Sequence, residues 1–354
     1  MKKQYNKKKI IILNIARKSF RQKVRSREKK RTKRRLLQGI PKLEIKRRYE
    51  LAKYKKIHAP KCLSMIEKPE DTLEFISLLE RALDKREKVF VVLKHVEKIA
   101  SGAIIVLLSI MIKFKKHRVD FNGDHPINDN ARTVLLKSGF FEHLYETKND
   151  HISIQGHKGI FTHANKIVDQ KLSDQLISKV SKMIWGESKR CPGVQTTYIE
   201  LMQNTNNHAS LNGPKEHHWY TTVSYNKEKN KACFSFIDYG VGIIESIKKN
   251  EKGKFWNSLS KIIDLLRPQD NGDFLKLLLD GSIHQTATGN YYRGKGLPGV
   301  YKAFCENKIS NLVIITNDAM ADCQNGVFRT LNNKFVGTYI YWELNENNKF
   351  LNVV

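Results

Sequence analysis

Four side chains in the segment Tyr198-Ile199-Glu200-Leu201-Met202-Gln203-Asn204-Thr205-Asn206-Asn207-His208-Ala209 have types and spacing suited to chemistry. On an α-helix, at roughly 100° per residue, Glu200, Asn204, Asn207 and His208 fall within about 100° of one another. Tyr198, Met202, Thr205 and Ala209 gather on the opposite side. Such a helix buries one face and presents a carboxylate, two carboxamides and an imidazole on the other. That group suits a divalent metal, its phosphates and an attacking water. A solvated face of an ordinary amphipathic helix has the same pattern, so the stripe needs company.

Three glycine motifs follow it. In Phe234-Ser235-Phe236-Ile237-Asp238-Tyr239-Gly240-Val241-Gly242 an apolar run ends in a carboxylate, then two glycines alternate with other residues. This reads as a buried strand delivering Asp238 at its end, followed by a loop that a flat ligand can approach. A carboxylate there accepts a hydrogen bond from an exocyclic amine such as that of adenine; an ordinary strand-to-turn junction looks alike. Arg293-Gly294-Lys295-Gly296-Leu297-Pro298-Gly299-Val300 precedes a helical run, with Pro298 in the first turn. Free N–H groups at such a start suit phosphate, or simply cap a helix. Gly337-Thr338 opens the apolar run Tyr339-Ile340-Tyr341-Trp342, a strand with a hydroxyl near its start.

The elements that must hold these residues alternate in type. Val89–Leu93 and Val119–Gly123 read as strands, Ser101–Lys116 and Asn128–Ser138 as helices, which points to an α/β region over residues 60–150. The apolar stretch Ile99–Ile112 would reach only about 21 Å as a helix, short of a bilayer core of about 30 Å. It reads as a helix buried on most faces, and no transmembrane segment or signal peptide is expected. Asp169–Ile184 has helical periodicity and reads as a connector. Phe255–Leu266 and Phe274–Leu279 are further helical runs, and Gln285–Asn290 is a polar stretch.

In order, Glu-x-x-x-Asn on a helix, Asp-x-Gly-x-Gly, Gly-x-Gly-Leu and a late Gly-Thr resemble the GHKL ATP-binding superfamily of gyrase B, heat-shock chaperone ATPases, histidine kinases, MutL and MORC. The resemblance covers roughly residues 190–354. It implies ATP and Mg²⁺ as ligands, with Asn204 on the metal and Glu200 as the base that activates the nucleophile. It implies Asp238 on the adenine amine with Thr338 supporting it, and Gly240 and Gly242 beside adenine and ribose. Gly294, Gly296 and Leu297 would close on the phosphates, with Arg293 and Lys295 in reach. Residues 243–293 take the place of the ATP lid. His208 takes the next turn of the stripe, beside Asn207 where many hydrolysing members carry an acidic residue, a pattern closer to the anti-sigma-factor serine kinases.

Residues 60–150 resemble a STAS domain, the anti-sigma-antagonist fold. In that family a serine just before the glycine at a helix start is phosphorylated, which is the place of Ser101; a simple helix cap is the plainer reading. The expected fold is thus α+β: a GHKL (Bergerat) α/β sandwich over 190–354, C-terminal to a smaller STAS-like α/β domain over 60–150, with a connector over 151–189.

An arm over residues 1–59 precedes them. The first 60 residues hold 24 of the 64 Lys+Arg and 3 of the 35 Asp+Glu, so most of the formal net charge of +29 sits there. Such a block seeks polyanions by counterion release, and nucleic acid is the expected partner. Aromatics are sparse in it, so phosphate contact is favoured over base readout. An anionic membrane surface, a solubilising tail and a targeting segment have the same composition. Arg17–Leu37 is expected to form a helix on a phosphate surface and to be disordered when free.

The scattered cysteines (Cys62, Cys191, Cys233, Cys305, Cys323) lack a Cys-x-x-Cys pair and suit a reducing cytoplasm, with no structural zinc. The sequence therefore points to a cytoplasmic Mg-dependent ATPase whose nucleotide-driven switch regulates a nucleic-acid-associated process, with a homodimer or protein partner. A serine/threonine kinase of the anti-sigma type and a non-hydrolysing ATP sensor are the alternatives.

Overall fold

A computed structural model describes residues 18–27, 29–30, 51–145, 163–165, 170–209, 219–249, 268–282 and 296–348. The chain forms two compact units that divide between Lys55 and Lys56. In the first, residues 18–27 form a helix whose side chains are all exposed. Arg17–Leu37 is thus helical where it is described, and Lys18, Arg21, Lys23, Arg25 and Arg27 face solvent.

The second unit is mixed α+β. It opens with β1 (Lys55–His58), β2 (Cys62–Leu63), α1 (Pro69–Asp84), β3 (Val89–Val92), β4 (Lys98–Ile99) and α2 (Ser101–Lys116). β5 (Phe121–Gly123), α3 (Asp129–Lys137) and α4 (Phe140–Tyr145) follow. β1, β3 and β5 form a small sheet in that order, β3 and β5 parallel, as the alternating strand and helix pattern requires. β2 and β4 pair parallel beside it. Asn128 caps α3, its side chain accepting from the Ala131 N–H at 3.0 Å.

A five-stranded antiparallel sheet forms the other half. Its strands are β6 (His163–Asn165), β7 (Trp219–Asn226), β8 (Lys231–Asp238), β9 (Ser310–Asp322) and β10 (Val327–Leu344), in the order β6-β7-β8-β10-β9. Among the described residues five helices accompany them: α5 (Gln170–Trp185), α6 (Pro192–Ala209), α7 (Ile243–Lys249), α8 (Asn271–Leu279) and α9 (Gly296–Cys305). The runs Phe255–Leu266 and Gln285–Asn290 lie outside the described residues.

Both faces of this sheet are buried, and the period of two in its strands says which residue goes where. Phe234, Phe236, Ile340 and Trp342 join one core with Tyr198 and Met202 of α6 and residues of α5, α8 and α9. Ile237, Val313, Ile315 and Tyr339, one step out of phase, join a second core with α1 and α2. The region from Ile57 to Leu144 and the large sheet therefore share a core.

α2 is apolar on nearly every side, and a helix of that kind must be buried all round. It packs against β7 and β8 on one side and α1 and α4 on others. Gly102 makes the close approach possible: a Cβ there would lie 2.1 Å from the Tyr339 hydroxyl. No helix among the described residues is long and apolar enough to cross a membrane. Ser101 does not cap this helix. Ala100 is at the N-cap without a side-chain cap bond, and the Ser101 hydroxyl lies 3.0 Å from that of Ser224 on β7. Packing against the sheet takes the hydroxyl away from the helix end.

Candidate functional site

β8 delivers Asp238 at its C-terminal end, and register sets its neighbours. Thr338 of β10 stands directly opposite Asp238, and Thr316 of β9 opposite Thr338. Asp238 shares its parity with Phe234 and Phe236, and Thr338 with Ile340 and Trp342. By the alternation of strands the carboxylate and the hydroxyl belong to the face that α6 covers. Gly337 allows the crossing. At φ +119° a Cβ there would fall 1.9 Å from the Asp238 carbonyl oxygen. Glycine is what lets β10 run so near the turn after β8.

The Asp238 carboxylate is half-buried and accepts a hydrogen bond from the Gly240 N–H. Burial pushes its pKa up to about 6, against the pull of that N–H. At neutral pH it is still an anion with lone pairs to spare, an acceptor for an amine.

The loop after it is fastened by residues that the sequence reading did not single out. Thr316 Oγ1 accepts from the Ile243 N–H at 2.9 Å and donates to the Gly337 carbonyl at 3.2 Å. It also lies 3.1 Å from Thr338 Oγ1. With its proton on Gly337, the Thr338 hydroxyl is the donor of that pair and keeps its own lone pairs. Asn317 donates from Nδ2 to the Val241 carbonyl at 2.9 Å, while its Oδ1 accepts from the Glu245 N–H at 3.3 Å. Gly242, at φ +81°, lies against that carboxamide; a Cβ would come within 2.5 Å of it. The one signal in the sequence is the apolar run Leu312–Ile315 ending in Thr-Asn, which repeats the pattern of β8 running into Asp238.

α6 crosses the same face. Tyr198 is fully buried, edge-on to Trp342 at 5.1 Å and to Phe234 at 6.0 Å, with its hydroxyl 3.0 Å from that of Thr221. Met202 and Thr205 are buried with it, which fits the inward face expected of the segment. Glu200 is half-buried on this helix. Asn204, Asn207 and His208 continue the helix, and their side chains lie outside the described residues.

α9 begins at Gly296 and packs on α6. Leu297 packs against the core beneath. Arg293, Gly294 and Lys295 lie outside the described residues. The structure thus brings together Asp238, Gly240, Gly242 and Thr338, and carries Glu200, Gly296 and Leu297 on helices that pack together over the same face. Among the described residues, no three His, Cys, Asp or Glu side chains form a metal-holding group. No family model, curated protein or solved structure matches the chain.

Proposed function

We propose that the chain binds ATP with Mg²⁺ in a GHKL-like arrangement and hydrolyses it, and that residues 1–59 bind nucleic acid. One observation carries the reading. Residues a hundred positions apart in sequence, Asp238 and Thr338, stand opposite each other at one end of the sheet, flanked by glycines that let the neighbouring segments approach closely. A half-buried anion beside a hydroxyl is a receptor for the amine edge of adenine. The carboxamide of Asn204 would hold the metal, which would neutralise phosphate charge. Glu200 would orient the attacking water and take its proton. A carboxylate does that through position and partial desolvation. Phosphoryl transfer asks mainly for positioning and charge neutralisation. The exposed basic helix over residues 18–27 supports a polyanion partner for the arm.

The reading is tested by MgATP binding and phosphate release on the wild type, Glu200→Ala and Asn204→Ala. Glu200→Ala is expected to keep binding and lose turnover by about 100-fold or more. Asn204→Ala is expected to weaken MgATP binding. Normal turnover by Glu200→Ala would remove the assigned base, and a wild type that binds no MgATP would sink the reading. Label passing from ATP to protein, in place of phosphate release, would make the chain a kinase, and tight binding with neither would make it a sensor.

A further inference from the structure

The turn after Asp238 leaves the sheet, so its backbone groups need partners from elsewhere. Two adjacent side chains on β9 supply them. Thr316 takes the Ile243 N–H, and Asn317 takes the Val241 carbonyl and the Glu245 N–H. Thr316 also holds Gly337 and Thr338. A single buried hydroxyl thus joins the loop that follows the carboxylate to the strand that carries its companion hydroxyl. Asn317 sits at φ +53°, a left-handed backbone that asparagine tolerates and that turns its amide toward the loop.

Resting on the nucleotide reading above, we propose that Thr316 and Asn317 are positioning residues that set nucleobase choice. They hold the 238–242 segment and Thr338 in the relative placement that adenine needs. Neither touches the base. Adenine presents an amine where guanine presents a carbonyl oxygen, so a fixed carboxylate rewards the first and repels the second. A carboxylate free to shift loses that discrimination before it loses affinity for the phosphates.

A clamp that merely stabilised the fold would lower melting temperature and weaken all nucleotides alike. The experiment therefore measures MgATP and MgGTP affinity together on the full chain, with thermal melting, for the wild type, Thr316→Val, Thr316→Ser and Asn317→Gly. Thr316→Val keeps the shape and removes the hydroxyl. Asn317→Gly keeps the left-handed backbone and removes the amide. ATP affinity should fall about tenfold in Thr316→Val, the worth of one buried group left unsatisfied. The ATP-over-GTP preference should fall toward one, while GTP affinity changes less than about twofold. Thr316→Ser should restore both quantities, and Asn317→Gly should follow Thr316→Val. Should Thr316→Val fail to fold, Asn317→Gly decides. Unchanged preference in the folded variants, or equal losses for both nucleotides, overturns the proposal and leaves ATP binding standing. A wild type that binds ATP without preference over GTP overturns it too. A wild type that binds neither nucleotide removes the functional reading and this one with it.

Discussion

Asp238 shows how a site can be at odds with the stability of its own fold. Folding raises its pKa from 3.8 to about 6, because burial penalises the charge. The native protein therefore holds a proton that the unfolded chain gives up between those values. Stability from this group is greatest below pH 4, declines as pH rises, and levels off above pH 6, a cost on the order of 2–3 kcal/mol. Asp238→Asn removes the charge. It should raise the melting temperature of the nucleotide-free protein at pH 7.5 by several degrees and leave it unchanged at pH 4, in calorimetric scans at the two pH values. The same substitution should weaken ATP binding, and wild-type ATP binding should fall as pH drops through about 6. A variant no more stable at pH 7.5 would mean that the carboxylate is not strained by its burial.

At the scale of elements, α2 is joined to the candidate site through Tyr239, the residue next to Asp238. Parity turns Tyr239 to the opposite face of the sheet. There its hydroxyl bonds that of Ser109, and Lys113 Nζ lies 3.6 Å from the ring centroid. Lys113 also pairs with Glu80 of α1 at 3.9 Å. Burial lowers the lysine's pKa and raises the glutamate's, each opposed by the charge of the other. Desolvation is the larger influence on both, so the pair is a weak stabiliser whose halves depend on each other. Lys113→Met should cost about 1–3 kcal/mol, since it leaves Glu80 buried without its cation and removes the contact with the ring. Adding Glu80→Gln should recover most of that loss. A double-mutant cycle by urea unfolding checks it, and additive losses would show the two charges to be independent.

The whole second unit depends on covering both faces of its large sheet. Tyr220, Ile237, Val313, Ile315 and Tyr339 are buried against α1 and α2. Farther along, Glu70 of α1 accepts from Arg329 of β10 at 3.3 Å and from the Asn332 N–H at 3.2 Å. A fragment of residues 160–354 should therefore expose an apolar sheet face and aggregate, while 56–354 should unfold in one cooperative step. A soluble, cooperative 160–354 in size-exclusion and urea experiments would refute that dependence. The arm should separate cleanly in function. Full-length protein should bind duplex or single-stranded nucleic acid with little sequence preference, its affinity falling steeply between 50 and 200 mM salt, roughly 10³-fold if six phosphates are contacted. Deleting residues 1–55 should abolish that binding and leave thermal melting of the second unit unchanged. Binding that persists in the deletion, or is insensitive to salt, would locate the nucleic-acid surface elsewhere.

Local pattern was enough for some of this. The apolar stretch Ile99–Ile112 called for a helix buried on most faces, because little of it can meet water. Period 3.6 in residues 198–209 put Tyr198, Met202 and Thr205 inward, and the apolar run before Asp238 made β8. Other features depended on partners far along the chain. β7 and β9 carry no alternation clean enough to read, since most of their residues are buried whichever face they point to, and β9 meets β10 through register shifts. Ser101 looked like a cap until β7 supplied Ser224 as its neighbour. Thr316 and Asn317 are unremarkable residues in a strand until folding places them beside Gly242 and Thr338. Residue types and local periodicity fix which groups are available and which face of an element is apolar. Which hydroxyl meets which carboxylate is decided by strand register, a long-range choice that the sequence around neither residue contains.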